Sequence, residues 1–390
     1  MKSRKLSRTR RRATILGAAA ASVVAGAALL PNWSAGASVV DDPTVDAQTK
    51  ATFQRLADAV FTDRTDALVT GGQGNREKPL TGGFSGDVRV SSGVADREDT
   101  GLSSLDRRKA RLAKLGEQYS KASTSVTLDA TRVTGRTAKA AVTETTTLTY
   151  AKVRGNEPRT TGFQAHHELT FTADRQGNWQ LTGIRDTDQG LAVNTLSKPS
   201  VRATTTDDTM PNAPRAATSW PAPSKPKTLT GAALDYKAMA TYAEKYWRNY
   251  NPEYPDYNGQ GAGGDCTNFV SQSLKAGGWK HVPGYVYDYT KWFGNASIQS
   301  HSFVGVNEWS WFAQNSKRTT PLTNVYQLAV GDVLQVDFDK DGSKDHTMIV
   351  TYRSPSGVPY VTYHSNNTFR RSVASIVASY PNAAYYAYRT

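Results

Sequence analysis

One cysteine stands out in a chain of 390 residues that contains no other. Cys266 lies in the stretch GGDCTNFVSQ, where glycines and an acid precede it and hydroxyl and amide side chains follow. A thiolate is a strong nucleophile, and a cysteine at the start of a helix has a lowered pKa because the helix dipole favours the anion. The alternative is a small buried hydrophobe, the usual role of a free cysteine. The setting favours a reactive Cys266.

The surrounding residues predict a helix that begins at this cysteine. Asp265 is a good N-cap residue, apolar side chains recur on one face of the following turns, and Gly277 and Gly278 end the segment. Unpaired N–H groups at a helix start can also stabilise an oxyanion. The same position could therefore activate the nucleophile and hold the tetrahedral intermediate.

A thiolate nucleophile needs a general base and a group that orients the base. Histidine is the usual base, and His281, His301, His346 and His364 lie in the C-terminal part of the chain. The first two occur in irregular sequence. His346 opens HTMIVTYR, a predicted strand, and His364 closes PYVTYH, the next predicted strand. Two histidines on adjacent strands can meet beside one helix start.

The motifs GGDCTNFVSQSLKAGGW, GDVLQVDFD, DHTMIV and TYHSNN, in this order, resemble the putative amidase domain family of secreted Gram-positive proteins. The resemblance covers residues 232–390 and extends to the NlpC-type and CHAP-type cell-wall hydrolases. It implies an α+β fold of the papain-like class, in which a helix bearing the nucleophile packs on an antiparallel sheet. It also implies cleavage of amide bonds in peptidoglycan, which makes peptidoglycan or another peptide the expected substrate.

Carried over to this chain, the resemblance makes Cys266 the nucleophile, His346 the general base and His364 the group that orients the base. Asn366 is the reserve for the third position, because papain-like enzymes often use asparagine there. Gln260 stands six residues before the cysteine, at the spacing of an oxyanion-hole glutamine. The alternative for this glutamine is an ordinary position in a glycine-rich loop.

An acidic turn, DFDKDGSKDH, precedes His346. Asp337, Asp339 and Asp341, followed by a glycine, have the spacing of the first half of a calcium loop. The twelfth position, where such loops carry a bidentate glutamate, holds Met348. A solvated hairpin turn is therefore the simpler interpretation. Calcium at this turn is the one metal that the sequence suggests, and we expect no other cofactor.

The first 37 residues have the pattern of a secretory signal peptide. Seven Lys and Arg residues precede an apolar run that ends at a small-residue cleavage site, AGA. An uncleaved membrane anchor is the alternative, although the run is short and rich in alanine. We expect a secreted protein that associates with the cell wall and has no membrane contact after cleavage.

The net charge excludes one class of partner. The formal charge of +13 includes the seven positive charges of the signal, which leaves +6 on the mature chain. Residues 230–390 carry 14 Lys and Arg against 12 Asp and Glu, so the region of the candidate site is nearly neutral. A nucleic-acid groove requires clustered basic residues that follow the phosphates. We expect no nucleic-acid partner.

The rest of the chain divides by composition. Residues 38–194 predict a smaller α+β accessory domain that loosely resembles the nuclear-transport-factor-like domains, with helices near 49–64 and 103–122, a loop over 75–105, and a run of strands. His166 and His167 lie next to each other on one strand and therefore point to opposite faces, so they cannot serve one site. Residues 195–230 are a Pro-, Thr- and Ala-rich linker, and residues 231–390 form the amidase-like domain.

Together these patterns predict a secreted cysteine-dependent amidase or peptidase. A non-catalytic wall-binding module on a hydrolase-like fold is one alternative. A cysteine acyltransferase, in which an amine replaces water as the acceptor, is another and would use the same residues.

Overall fold

The computed structural model describes residues 45–71, 88–199, 201, 212–229, 232–258 and 264–390. The predicted signal peptide and Gln260 lie outside these residues. The fold is α+β, as the sequence predicted, and its sheet is mixed, because the strand Val88–Val90 pairs in parallel with the strand Trp179–Asp186. Its helices are α1 (Ala47–Asp66), α2 (Ser92–Lys114), α3 (Tyr236–Tyr246), α4 (Cys266–Ala276), α5 (His301–Val304), α6 (Val306–Asn315) and α7 (Val373–Ser379). Its strands are β1 (Val88–Val90), β2 (Tyr119–Thr134), β3 (Thr137–Tyr150), β4 (Thr160–Ala173), β5 (Trp179–Asp186), β6 (Thr320–Leu322), β7 (Val333–Asp337), β8 (His346–Arg353), β9 (Pro359–Tyr363), β10 (Asn367–Ser372) and β11 (Ala384–Arg389).

Two helices cover the N-terminal strands. The carboxylate of Asp46 caps α1 by accepting a hydrogen bond from the Thr49 backbone N–H at 2.6 Å. The second helix begins at Ser92, so the prediction of a loop up to residue 105 was wrong for its last part. The first turns of this helix are rich in polar residues, which made its sequence resemble a loop. Val94, Leu102 and other apolar residues at helical spacing are nevertheless buried.

The strands follow one another in a single mixed sheet with the order β1-β5-β4-β10-β9-β8-β7-β11-β6. Strand β3 pairs with β2 and with one edge of β4. The other edge of β4 pairs with β10 near its start and with β5 toward its end. Strand β4 thereby joins the N-terminal strands to the C-terminal strands.

The sheet therefore runs through both of the predicted domains. Phe163 of β4 faces Thr368 of β10 in antiparallel register, although 205 positions separate them. Residues 212–229 of the predicted linker lie against the C-terminal strands, where the Ala216 N–H donates to the Tyr385 carbonyl at 2.7 Å. The boundaries at residues 194 and 230 stay a prediction, but backbone hydrogen bonds connect the parts on either side of them.

The C-terminal strands are buried on both faces. Helices α3, α4 and α6 cover one face, where Phe269 and Val270 of α4 share a core with Val333 and Ile349 of the sheet. Helix α7 covers the other face, where its apolar side chains share a second core with Met348, Val350 and Tyr363 of the sheet. Residues that follow each other along β8 therefore enter different cores.

Candidate active site

Cys266 is the first residue of helix α4, as the sequence predicted. Its side chain is 1% exposed, and its Sγ lies 3.8 Å from the Thr267 hydroxyl. The same hydroxyl contacts that of Thr347 at 2.9 Å, which joins the start of the helix to strand β8. Helix and sheet thus fix the backbone position of the cysteine.

His364 lies beside this helix start and pairs with Asp265. Its Nδ1 is 2.6 Å from Oδ2 of the aspartate, and the two side chains are 2% and 1% exposed. Asp265 occupies the N-cap position, but its carboxylate makes no cap hydrogen bond to the helix. It accepts instead from His364 and, at 2.7 Å, from the Asn268 amide. The predicted cap residue is therefore the partner of the histidine.

The second ring nitrogen of His364 is held by a helix end. Nε2 lies 2.8 Å from the backbone carbonyl of Tyr246, the last residue of α3. Carbonyls at a helix end have no partner within the helix and carry the negative end of its dipole. Because a carbonyl can only accept, Nε2 must carry a hydrogen, and the proton at Nδ1 is shared with the aspartate. One further proton lies between Nδ1 and the carboxylate of Asp265.

Two aromatic rings enclose this imidazole. Tyr250 stacks on one face of His364 with ring centroids 3.7 Å apart and an angle of 5°. Phe269 stacks on the other face at 3.9 Å and 25°. Phe269 lies three residues after the cysteine on the same helix, so the ring packs along the first turn of α4. Packing and hydrogen bonds together leave the imidazole one orientation.

His346 lies on the face of the sheet away from helix α4. Its neighbour Thr347 faces α4, so the His346 ring points to the opposite face of the sheet and lies among Met348, Tyr363 and other apolar residues. Neither ring nitrogen has a hydrogen-bond partner among the described residues. Burial lowers the pKa of His346 to about 3, so the ring is neutral at physiological pH. This position does not favour a direct proton transfer from Cys266, and the role of general base stays a prediction for His346.

Asn366, the reserve for the third position, lies two residues beyond His364 but bonds elsewhere. Its Nδ2 donates to Asp188 Oδ2 at 2.7 Å, and its Oδ1 accepts the Leu191 backbone N–H. Both partners belong to the N-terminal part of the chain. The side chain therefore orients neither histidine ring.

The acidic turn groups a different set of carboxylates from the predicted one. Oxygen atoms of Asp337, Asp339 and Asp345 lie within 4.8 Å of one another, and Asp341 is not part of this group. The carboxylate of Asp337 accepts two backbone N–H groups of the turn, those of Lys340 at 2.6 Å and Gly342 at 3.1 Å. The turn thus uses its acidic groups to hold its own backbone, and calcium binding stays a prediction.

A second buried polar cluster lies in the N-terminal part. His167 contacts Asp186 at 2.8 Å and Glu144 at 3.2 Å, and its side chain is 3% exposed. Burial opposes the charged ring, but the hydrogen bonds to the two carboxylates outweigh it and raise the pKa of His167 to about 9. The side chain of His166 is 47% exposed on the other face. The expectation that these two histidines point apart is confirmed.

The arrangement at the helix start can perform nucleophilic acyl transfer. The positive end of the α4 dipole favours a thiolate at Cys266, and His364 lies beside the same helix start with Asp265 on its Nδ1. A thiol and an imidazole beside one helix start are the groups that a cysteine nucleophile requires. Reasoning from the sequence missed Asp265 as the histidine's partner, although its place directly before the cysteine was visible.

Comparison with known proteins supports an amidase-like function for this part of the chain. Residues 233–388 match the family described as "Putative amidase domain". The match covers less than half of the chain. No solved structure matches significantly.

Two curated relatives come from Bacillus subtilis (strain 168). "Uncharacterized protein YhbB" is 33% identical over 143 residues, which is 35% of this chain and 44% of the relative. "Uncharacterized protein YjcM" is 33% identical over 139 residues, which is 34% of this chain and 31% of the relative. The chain thus matches less than half the length of each. Among the residues that the structure describes, we find no helix with the length and apolar character needed to span a membrane.

Proposed function

We propose that residues 233–388, which match the amidase family, form a cysteine-dependent amidase that cleaves amide bonds in cell-wall peptidoglycan peptides. The observation that supports this proposal most strongly is the buried pair of Asp265 and His364 beside the only cysteine of the chain. Burying polar side chains is costly unless they are hydrogen-bonded. A buried hydrogen-bonded aspartate and histidine beside a helix start that carries the cysteine supports a catalytic role, because a nucleophile needs an oriented base.

In this mechanism Cys266 attacks the carbonyl carbon of the substrate amide. The carbon–sulfur bond forms, and the negative charge moves to the carbonyl oxygen near the first turn of α4. His364 donates a proton to the leaving amine as the C–N bond breaks, which leaves a thioester on the cysteine. The neutral ring then takes a proton from water as the water attacks the thioester, and the acid product leaves.

Asp265 and the Tyr246 carbonyl act on the histidine rather than on the substrate. The Tyr246 carbonyl holds Nε2 and Asp265 holds Nδ1, so in this mechanism Nδ1 leaves the carboxylate of Asp265 when it exchanges a proton near the helix start. Asp265 stabilises the positive ring that forms when the thiol loses its proton. In this arrangement the aspartate and the helix end take the part that the sequence assigned to His364, and His364 takes the part assigned to His346. A papain-like class for the domain is part of this proposal, and this arrangement of cysteine and histidine supports it.

A secreted, wall-associated location and a peptidoglycan substrate belong to the same proposal. They rest on the signal-like N-terminus and on the amidase family. The test incubates the purified protein with isolated cell wall and with stem peptides, with and without an added amine, and identifies the products by mass. If the protein is a hydrolase, the wild type releases products with a new carboxylate and a new amine, and the Cys266→Ala variant releases neither. Products that carry the added amine indicate the acyltransferase instead, and binding without any product indicates a wall-binding module.

We expect iodoacetamide to label Cys266 in the folded protein with a midpoint below pH 8, because the helix start and His364 stabilise the thiolate. The assay follows the rate of alkylation against pH, and the chain has no other thiol to interfere. An ordinary cysteine reacts with a midpoint near about pH 8.5. A midpoint at or above that value, or labelling only in denaturant, contradicts an activated nucleophile and leaves Cys266 as a core residue.

A further inference from the structure

The candidate catalytic groups lie at the junction between the two parts of the chain. The turn after β9 follows His364 directly, and its residues Ser365 and Asn366 have φ angles of 66° and 85°. Residues other than glycine rarely adopt this left-handed region and do so where the surroundings hold them. The contacts that hold this turn therefore also hold the end of the strand that presents His364.

This turn touches the helix start. The Ser365 hydroxyl accepts the Asp265 backbone N–H at 3.0 Å. Gly264, directly before the aspartate, has a φ of +83°, and a Cβ there would lie only 2.3 Å from the Ser365 Oγ. The turn and the backbone leading to Cys266 are thus in close contact, and a displacement of one displaces the other.

The N-terminal part of the chain fixes this turn from the other side. Asp188 accepts the His166 backbone N–H of β4 at 2.8 Å, the Gly190 N–H at 3.1 Å and the Asn366 amide at 2.7 Å. Gln189 is 8% exposed, and its Nε2 would lie 3.3 Å from a Cβ on Gly264. The segment of residues 188–191 therefore reaches both the turn after His364 and the glycine before the nucleophile.

We infer that the N-terminal part of the chain is a positioning element of the active site, and that Asp188 and Gln189 set the geometry of Cys266, Asp265 and His364. This inference rests on the proposed function. It gives the N-terminal part a role that a separate accessory domain on a flexible linker could not have, because the two hydrogen bonds of Asn366 require a fixed junction.

Exchanging the two groups of the junction tests the inference in the full chain. Asn366→Asp places a carboxylate against Asp188 in a buried site, and the two like charges repel each other. Asp188→Asn combined with Asn366→Asp restores an N–H···O pair between the two side chains and keeps an acceptor for the Leu191 N–H, although the His166 N–H loses the oxygen that it shares with Asn366. We expect the single variant to lose up to about 100-fold in kcat with little change in KM, since misplacement affects the chemical step, and the double variant to recover part of this loss.

The pH dependence of Cys266 alkylation is the second readout and needs no substrate. We expect its midpoint to rise in Asn366→Asp and to return part of the way in the double variant. Asp174→Ala is the matched control, because Asp174 also accepts three hydrogen bonds, from Gln176 and Asn178, in a distant turn of the same sheet. If the single variant does not fold, Gln189→Ala removes the side chain that lies beside Gly264, and we expect it to lower kcat and to raise the alkylation midpoint.

The outcomes separate the two claims. A wild-type alkylation profile like that of an ordinary thiol overturns the proposed function, and this inference with it. An activated wild type whose profile and kcat are unchanged in Asn366→Asp, or in Gln189→Ala where the former does not fold, overturns this inference alone. The same holds if the thermal midpoint falls while both catalytic readouts stay at the wild-type values.

Discussion

Replacing His364 with alanine is expected to lower kcat/KM for amide hydrolysis by about 10³- to 10⁴-fold, because the thiolate loses its proton partner and the leaving amine loses its acid. Replacing His346 with methionine is expected to leave kcat/KM within about threefold of wild type, as a change of similar volume in a core does not reach the chemistry. Initial rates on one peptide substrate measure both. The sequence analysis made His346 the general base and His364 the group that orients it.

The His346 variant also has an expected stability. Its imidazole is 1% exposed, and its two nitrogens have no partner within the described part of the chain, so the fold bears the cost of burying them. Such a cost is about 1–3 kcal/mol for a polar group. An apolar side chain of similar size removes it, and we expect the thermal midpoint of His346→Met to equal or exceed that of wild type.

The two variants decide between the assignments. Loss of turnover in His346→Met with an unchanged melting curve, together with an active His364→Ala, contradicts the arrangement proposed here and restores the original one. If His346→Met and His364→Ala both fold and both lose turnover, the two histidines are both needed for catalysis, which also contradicts the arrangement proposed here.

Replacing His167 with leucine is expected to cost about 3–5 kcal/mol of the free energy of unfolding, because it leaves buried charges without their partner. The carboxylates of Glu144 and Asp186 both contact this ring, and their side chains are 0% and 9% exposed. Although burial opposes it, the histidine holds the pKa of Asp186 well below its usual range. Urea unfolding at pH 6 measures the loss.

The same histidine predicts how stability changes with pH. The fold raises the pKa of His167 from 6.5 to about 9, so the folded state keeps a proton that the unfolded state releases. The resulting stabilisation is complete below pH 6.5 and is lost as the pH rises through about 9. The difference in unfolding free energy between wild type and His167→Leu is therefore expected to shrink from pH 6 to pH 9.5.

His166→Leu is the control for this experiment. It changes the adjacent histidine on the same strand, whose half-exposed ring lies 3.7 Å from Asp188. We expect it to cost less than about 1 kcal/mol, as exposed ion pairs contribute little. Equal losses in the two variants, or a loss in His167→Leu that does not depend on pH, contradict a charged His167 in the core.

Local patterns were enough to predict the elements that carry the site. An acid, a cysteine and a closing pair of glycines predicted helix α4, and alternation of side chains predicted β8 and β9. The alternation of side chains along a strand also predicts that His346 and Thr347 point to opposite faces of the sheet. It cannot state which of them faces the helix, because both faces of β8 are buried and both carry apolar residues. The sequence therefore leaves open which residue of this strand faces Cys266.

The rest of the site depends on contacts that no local pattern records. Asp265 looks like a helix cap until His364, 99 positions away, takes its carboxylate. Asn366 looks like a catalytic asparagine until Asp188, 178 positions away, takes its amide. Asp265 lies directly before Cys266 and Asn366 lies two residues after His364. Each is polar, so the residue type alone fits a structural role as well as a catalytic one. The packing of α4 on the C-terminal sheet decides the role of Asp265, and the packing of the N-terminal part on that sheet decides the role of Asn366.

The pairing of β10 with β4 determines what happens when the chain is cut. A fragment of residues 231–390 keeps Cys266 and His364 but exposes the backbone N–H and C=O groups of β10 that the N-terminal strand satisfies. An open edge of this kind recruits strands from other molecules. Self-association of the fragment would compete with folding at the strand that follows the catalytic turn, so we expect the fragment to be less active than the full chain.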